Sequence, residues 1–246
     1  MESKETGRVR RDRESKERQG SGEIMKRVLL ITTLILIFSF STFSGCVSED
    51  RQEPGVYGNE SETTFYEGQE LTPIAEQRNN AIKGTQYIDR ESYRLQVNGL
   101  VENPREFSYE EIKALPRTSK VVDLDCVEGW GFTAKWTGVK IADLFEEVVV
   151  TENASTVIFY SADGYSTALD LDYLLENDII LAYGINDVTL PPERGFPLQL
   201  VAKGKYGYKW AKWIVRIELS DSEYRGYWEE RGYNNEADVG GPAFER

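Results

Sequence analysis

Apolar and polar residues alternate through Tyr93-Arg94-Leu95-Gln96-Val97, which predicts a strand with one face buried. Asn98-Gly99 follows at once and predicts a tight hairpin turn. Ser108-Tyr109-Glu110-Glu111 has the spacing of a capping box, so a short helix should start there and stop at Leu115-Pro116. Ile141, Leu144, Phe145 and Val148 recur at helical spacing and predict a second short helix over 141–148. Apolar runs predict strands at 156–161, 165–169, 179–183, 198–202 and 213–219, with turns at Asp163-Gly164 and Asn186-Asp187. Short strands, small helices and no regular βαβ rhythm describe an α+β, mainly β domain.

The pattern near the N-terminus is different. Met25-Lys26-Arg27 precedes an apolar run over 28–40, and Phe43-Ser44-Gly45-Cys46 closes it. A positive start, an apolar centre and small residues before a cleavage point describe an export signal, and the run is short for a spanning helix. Ser44-Gly45-Cys46 resembles a lipobox, which implies a lipidated Cys46; the alternative is an uncleaved membrane anchor. Either outcome places the rest of the chain outside the cytoplasm, at the outer face of the cytoplasmic membrane. Residues 1–24 are polar and add nothing to such a signal, so translation is expected to start at Met25. Residues 1–45 are thus read as a targeting region, 46–70 as a flexible tether rich in Glu, Gly, Ser and Thr, and 71–246 as the folded domain.

Charge narrows the partners. The chain holds 29 Lys+Arg and 42 Asp+Glu, of which 9 and 6 lie in the first 45 residues, leaving 20 and 36 beyond them. A net charge near −16 argues against nucleic acid and anionic lipid as partners. The chain contains no His, which excludes Ser-His-Asp and Cys-His catalysis and the usual zinc sites.

Two features carry candidate chemistry. Cys126, in Asp125-Cys126-Val127-Glu128-Gly129-Trp130, is one of two cysteines, and Cys46 already has a role. A lone thiol is either a small buried hydrophobe or a soft ligand for a transition metal. The second feature is a stretch between Glu193 and Glu218 without any acid, holding Arg194, Lys203, Lys205, Lys209, Lys212 and Arg216. Within it, Lys203-Gly204-Lys205-Tyr206-Gly207-Tyr208-Lys209 could cradle a phosphate or form a solvated basic hairpin; it lacks the spacing of a Walker loop.

Cys126-Val127-Glu128-Gly129-Trp130, Leu181-Ala182-Tyr183-Gly184-Ile185-Asn186, Gly195-Phe196-Pro197-Leu198 and the run from Gly204 through Trp213 occur in the order seen in the sulfite-oxidase-like molybdopterin-binding domain family. Gly226-Tyr227-Trp228 and Gly232-Tyr233 extend the resemblance, which spans about residues 79–233 and looks nearest to the haem-free branch containing the catalytic subunit of the periplasmic methionine-sulfoxide reductase. The resemblance implies that fold and a molybdenum–molybdopterin cofactor. It implies Cys126 as the thiolate ligand of molybdenum, with Lys209 and Trp210-Ala211-Lys212 nearest the pterin phosphate. Asn79, Asn80 and Lys83 fall at an N-terminal cofactor loop, and Ser161 at a hydroxyl position facing the cofactor. Arg194 stands where the family commonly has His or Asn, and Gln199 where it has Arg, so a cation has moved within that loop. Family members commonly carry a twin-arginine signal, and this chain has Lys26-Arg27 instead. The implied activity is oxygen-atom transfer to or from a small substrate. No Cys-x-x-Cys-His haem motif is present, so electrons are expected from an external membrane haem protein or soluble carrier. The alternatives are a non-catalytic exported binding module and an anion-binding protein using only the lysine loop.

Overall fold

The computed structural model describes residues 56–57 and 60–245. Residues 1–55, and with them the targeting region and Cys46, lie outside the described part. Two small hairpins come first, β1 (Val56–Tyr57) with β2 (Glu60–Ser61) and β3 (Phe65–Tyr66) with β4 (Gln69–Glu70). They are followed by β5 (Arg94–Gly99), β6 (Arg105–Ser108), α1 (Tyr109–Ala114), β7 (Arg117–Asp125), β8 (Gly131–Lys140) and α2 (Ile141–Glu146). Next come β9 (Thr156–Ser161), β10 (Ser166–Asp170), α3 (Leu171–Glu176), β11 (Ile180–Ile185), β12 (Val188–Thr189), β13 (Gln199–Val201) and β14 (Ile214–Ser220).

The strands form two five-stranded sheets. In the first the order is β10-β9-β14-β5-β6, antiparallel except for the β14–β5 pair. In the second, β12-β11-β8-β7 are antiparallel, and β13 joins β11 beside β12. The architecture is therefore the mainly β one that the pattern predicts.

The capping box is present: Ser108 N–H donates to Glu111 Oε2 at 2.8 Å and Glu111 N–H donates to Ser108 Oγ at 3.3 Å. On α2, Ile141, Leu144 and Phe145 are buried as their spacing requires, although the helix stops two residues early. Val149 there takes a positive φ of 56°, which ends the helical run. α3 was not evident from periodicity; it starts on Asp170, whose carboxylate accepts the N–H groups of Asp172 and Tyr173 at 2.8 and 3.2 Å.

The expected hairpin turn at Asn98-Gly99 is displaced. Both residues belong to β5, and the chain reverses over residues 100–104. Gly99 has φ 85° and lies so close to β14 that a Cβ would collide with the Leu219 carbonyl, so the glycine serves backbone approach there. At Asn186-Asp187 the turn is as expected, with φ 48° and 68°.

Residues 60–70, expected in the tether, are hydrogen-bonded to the body. Thr63 N–H donates to Asn186 O at 2.8 Å, and the Glu62 carboxylate accepts from Ile74 N–H at 2.7 Å and Asn186 Nδ2 at 2.9 Å. Composition suggested a tether because this segment has few large aliphatics; its polar groups are spent on backbone and side-chain partners instead.

Candidate cofactor site

Loops from both sheets converge on one cavity of about 440 Å³. β7 and β8 contribute Leu124, Phe132 and the loop between them, Cys126 to Trp130. The β9–β10 hairpin supplies Ser161, Asp163 and Tyr165. The turn before β13 supplies Arg194, β13 itself Gln199, and the approach to β14 adds Gly207, Tyr208, Trp210, Lys212 and Trp213. Residues 78–82 close the cavity from the N-terminal side, and Tyr227, Trp228 and Tyr233 from the C-terminal side.

The β7–β8 loop is a tight one. Cys126 N–H donates to Trp130 O at 2.8 Å and Gly129 N–H to Cys126 O at 3.0 Å, so the thiol sits at a fixed point on its rim. Cys126 is half-buried and is in no disulfide among the described residues. Burial pushes its thiol above the ordinary value, and the nearby Glu128 carboxylate adds to this, opposed by backbone N–H groups of Glu128 and Val127. A self-activated nucleophile would show the opposite shift. A raised pKa keeps the thiol protonated near neutrality.

Cations stand in the same cavity. Lys212 Nζ donates to Asn79 Oδ1, and to Asn80 O at 2.7 Å. Its burial pulls it down to about 7, with the neighbouring Arg194 guanidinium adding to the pull. Arg194 is only 5% exposed and donates to Gln77 O at 2.7 Å and Arg78 O at 3.0 Å. Asn79 Nδ2 reaches Glu193 O at 2.6 Å, and Asn80 Nδ2 reaches Glu128 at 3.1 Å. The 77–80 loop is thus fastened to both the cation-bearing turn and the cysteine loop.

Of the residues singled out from sequence, Cys126, Asn79, Asn80, Ser161, Arg194, Gln199, Trp210 and Lys212 all line this cavity. Lys83 does not line it, although its Nζ lies 3.2 Å from the position a Cβ would take on Gly164, between the lining residues Asp163 and Tyr165. Ala211 is packed in the interior, its carbonyl accepting Leu200 N–H at 2.9 Å. Lys209 points elsewhere. Its fully buried ammonium pairs with Glu229 at 2.6 Å and donates to Ala168 O at 2.9 Å and Asn235 Oδ1 at 3.1 Å. Lys205 is likewise held by Asp238 at 2.7 Å. The acid-free stretch of sequence meets its acids in space, and among its lysines only Lys212 lines the cavity.

Apart from Trp210, the aromatic wall is not singled out by the sequence reading. Four of the five tryptophans, Trp130, Trp210, Trp213 and Trp228, line the cavity. Their concentration in the short motifs was the available signal.

The lining suits a large, partly anionic ligand. Ser161 Oγ and Gln199 Oε1 are buried without a hydrogen-bond partner among the described residues, so both are open to a ligand's polar groups. Lys212 supplies positive charge where burial makes it costly without an anion, and Arg194 lies in the same lining. Among the described residues no three His, Cys, Asp or Glu side chains are grouped to hold a metal ion. A metal beside Cys126 would therefore draw most of its ligands from the cofactor itself, as a dithiolene-bearing pterin provides.

The family model for the oxidoreductase molybdopterin binding domain matches residues 82–228. Uncharacterized oxidoreductase YuiH of Bacillus subtilis is 39% identical over 153 residues, covering 62% of this chain and 77% of that one. The catalytic subunit of protein-methionine-sulfoxide reductase from Burkholderia mallei is 32% identical, over 55% of this chain and 46% of its own. Mitochondrial sulfite oxidase of Drosophila melanogaster is 30% identical over 59% of this chain and 30% of its own. Against these last two the chain spans less than half of the relative's length. Among solved structures, the sulfane dehydrogenase SoxCD of Paracoccus pantotrophus shares the fold, with a TM-score of 0.58 and 21% identity, over 74% of this chain and 57% of that one. The cavity chemistry and these likenesses converge: the chain belongs to the oxidoreductase molybdopterin-binding domain family, whose cofactor is molybdenum held by molybdopterin.

Proposed function

We propose that this oxidoreductase transfers an oxygen atom to or from a small substrate, coupled to two-electron redox at molybdenum. The observation that carries the reading is the sharing of one cavity by the Cys126 thiol, the Lys212 and Arg194 cations and two buried acceptors without partners among the described residues. When bound, the cofactor supplies a metal that can gain and lose an oxygen atom together with two electrons.

The chain's own residues do the rest. Cys126, as a thiolate, gives the metal a soft protein ligand and anchors it to the rigid β7–β8 loop. Lys212, held by Asn79 and Asn80, balances the pterin phosphate, with Arg194 close by and Lys83 beside Gly164. Ser161, Gln199 and the backbone around Trp210 and Ala211 offer polar groups to the pterin. The aromatic wall shields the site from water, which strengthens each charge interaction inside. Electrons come from an external redox partner, a membrane haem protein or a soluble carrier. Export and a lipid on Cys46 belong to the same reading, since the apolar run and Ser44-Gly45-Cys46 support both.

Cys126→Ser tests the central assignment by exchanging a soft thiolate for a hard hydroxyl. Turnover should fall by more than about 100-fold, with the thermal midpoint little changed. Wild-type turnover at wild-type molybdenum content in that variant would reject the assignment.

A further inference from the structure

The family match begins at residue 82, and the chain first lines the cavity at Arg78. Residues 60–77 precede both points and line no part of the cavity, yet they are fastened to the body along their length. At the outer end the Glu60 carboxylate accepts Thr189 N–H at 2.5 Å. In the middle Thr72 pairs with β8, its N–H donating to Thr133 O at 2.8 Å and its Oγ1 accepting Thr133 N–H at 3.2 Å. Leu71 and Ile74 are buried on either side of it.

One asparagine joins this segment to the body. Asn186 is fully buried, and its Oδ1 accepts Lys135 N–H at 3.0 Å. Its Nδ2 donates to Glu62 Oε1 at 2.9 Å and to Thr72 O at 3.0 Å, so donors and acceptor are all engaged and the amide is held in one orientation. The same Glu62 oxygen accepts Ile74 N–H at 2.7 Å, and the same Thr72 carbonyl accepts Gln77 Nε2 at 2.8 Å. A continuous path therefore runs from Glu62 through Asn186 and Thr72 to Gln77, whose own carbonyl accepts from Arg194.

The path matters because of how the 77–80 loop is otherwise held. Asn79 and Asn80 bond to Lys212, Glu193 and Glu128, and the Gln77 and Arg78 carbonyls accept from Arg194. These partners stand in the cavity wall or next to it, so an anion that draws Lys212 and Arg194 inward would draw the loop with them. Held from outside as well, the loop keeps Lys212 at one place, and a preorganised cation binds an anion more firmly than a mobile one.

We infer that Glu62, acting through Asn186 and Thr72, is a positioning residue for the 77–80 loop, and that the segment 60–77 thereby sets how long the cofactor stays bound. The cofactor half rests on the cavity holding the pterin phosphate near Lys212. The loop half does not, and has its own measurement.

That measurement is trypsin cleavage of the full chain after the exposed Arg78, read by mass spectrometry as a fragment starting at Asn79. Glu62→Ala orphans two buried donors, so this cleavage should quicken by at least about tenfold. Glu62→Gln keeps an acceptor oxygen in place and should stay within about twofold of the wild type. Gln77→Met cuts the path at its other end with Glu62 intact and should also quicken cleavage, which keeps the test open where Glu62→Ala fails to fold. The second measurement follows molybdopterin lost from cofactor-loaded protein, by fluorescence of the pterin in the filtrate. Release should be at least about fivefold faster in Glu62→Ala and in Gln77→Met, and within about twofold of the wild type in Glu62→Gln. Ser108→Ala weakens a helix cap away from the cavity, and it too should leave release within about twofold.

Unchanged cleavage in both Glu62→Ala and Gln77→Met overturns the positioning role. Faster cleavage with unchanged release overturns the cofactor half. Equal acceleration in Glu62→Gln or Ser108→Ala would mean a general loss of stability and overturns the assignment to Glu62. A wild-type chain that binds no molybdopterin rejects the cofactor reading and the cofactor half with it, while cleavage still decides the loop half.

Discussion

At the scale of single residues, the site divides by how its chemistry is written. Cys126 was legible because a lone thiol in a chain without His has few uses, and Asn79, Asn80 and Lys212 because a family motif fixes their places. Lys209 was legible only as a charge; that its ammonium faces Glu229, twenty residues on, depends on how the C-terminal arm returns. Lys212 yields a prediction with a definite sign. Its folded-state pKa of about 7 lies below that of the unfolded chain, which is near the ordinary lysine value of 10.5. Below about pH 7 both states hold the proton, so the cost of burying the charge is present in full. Between about 7 and 10.5 the unfolded chain binds the extra proton, so stability rises with pH through that window. Cofactor-free protein should therefore gain stability with pH relative to Lys212→Met, read as a widening difference in thermal midpoint. Sulfate, whose charge is constant there, should bind best below about pH 7 and weaken above it. Calorimetry showing the same sulfate affinity from pH 6 to 9 would remove Lys212 from the anion site.

At the scale of elements, local signals were reliable where the chain's own neighbours decide the outcome. The capping box at Ser108 and the strand at 156–161 involve such signals, and both occur at the expected residues. Asn98-Gly99 shows the limit. The pair satisfies the local requirement of a turn, but the positive φ of Gly99 serves contact with Leu219, 120 residues away. β8 was hard to see for a related reason: it is buried along nearly its whole length, so no apolar–polar alternation marks it. Two substitutions separate these cases. Ser108→Ala removes one capping partner and should cost about 1 kcal/mol in denaturant unfolding. Gly99→Ala must both hold a positive φ and push β5 from β14, so a loss of roughly 3 kcal/mol or more is expected. If Gly99→Ala cost no more than Ser108→Ala, the close approach of these strands would be in error.

At the scale of the whole molecule, the sequence announced a charge but not its distribution. The acid-free stretch suggested a cationic surface, whereas Glu229 and Asp238 fold back to meet Lys209 and Lys205 and leave the positive charge of the site to Lys212 and Arg194. Pairing inside does not alter the total, and beyond residue 45 there remain 36 acids against 20 bases. A field of that sign acts on any redox partner before contact, raising the encounter rate for cations and lowering it for anions. Salt screens it over about 10 Å at 0.1 M and about 3 Å at 1 M. Electron exchange of the cofactor-loaded protein with hexaammineruthenium, a cation, should therefore slow as salt is raised in stopped-flow measurements. With ferricyanide, an anion, the rate should rise over the same range. The two trends must have opposite signs, because a general effect of salt on the fold or cofactor would move both rates together. Parallel trends would mean that local charge at the docking face, not the net charge of the chain, selects the partner.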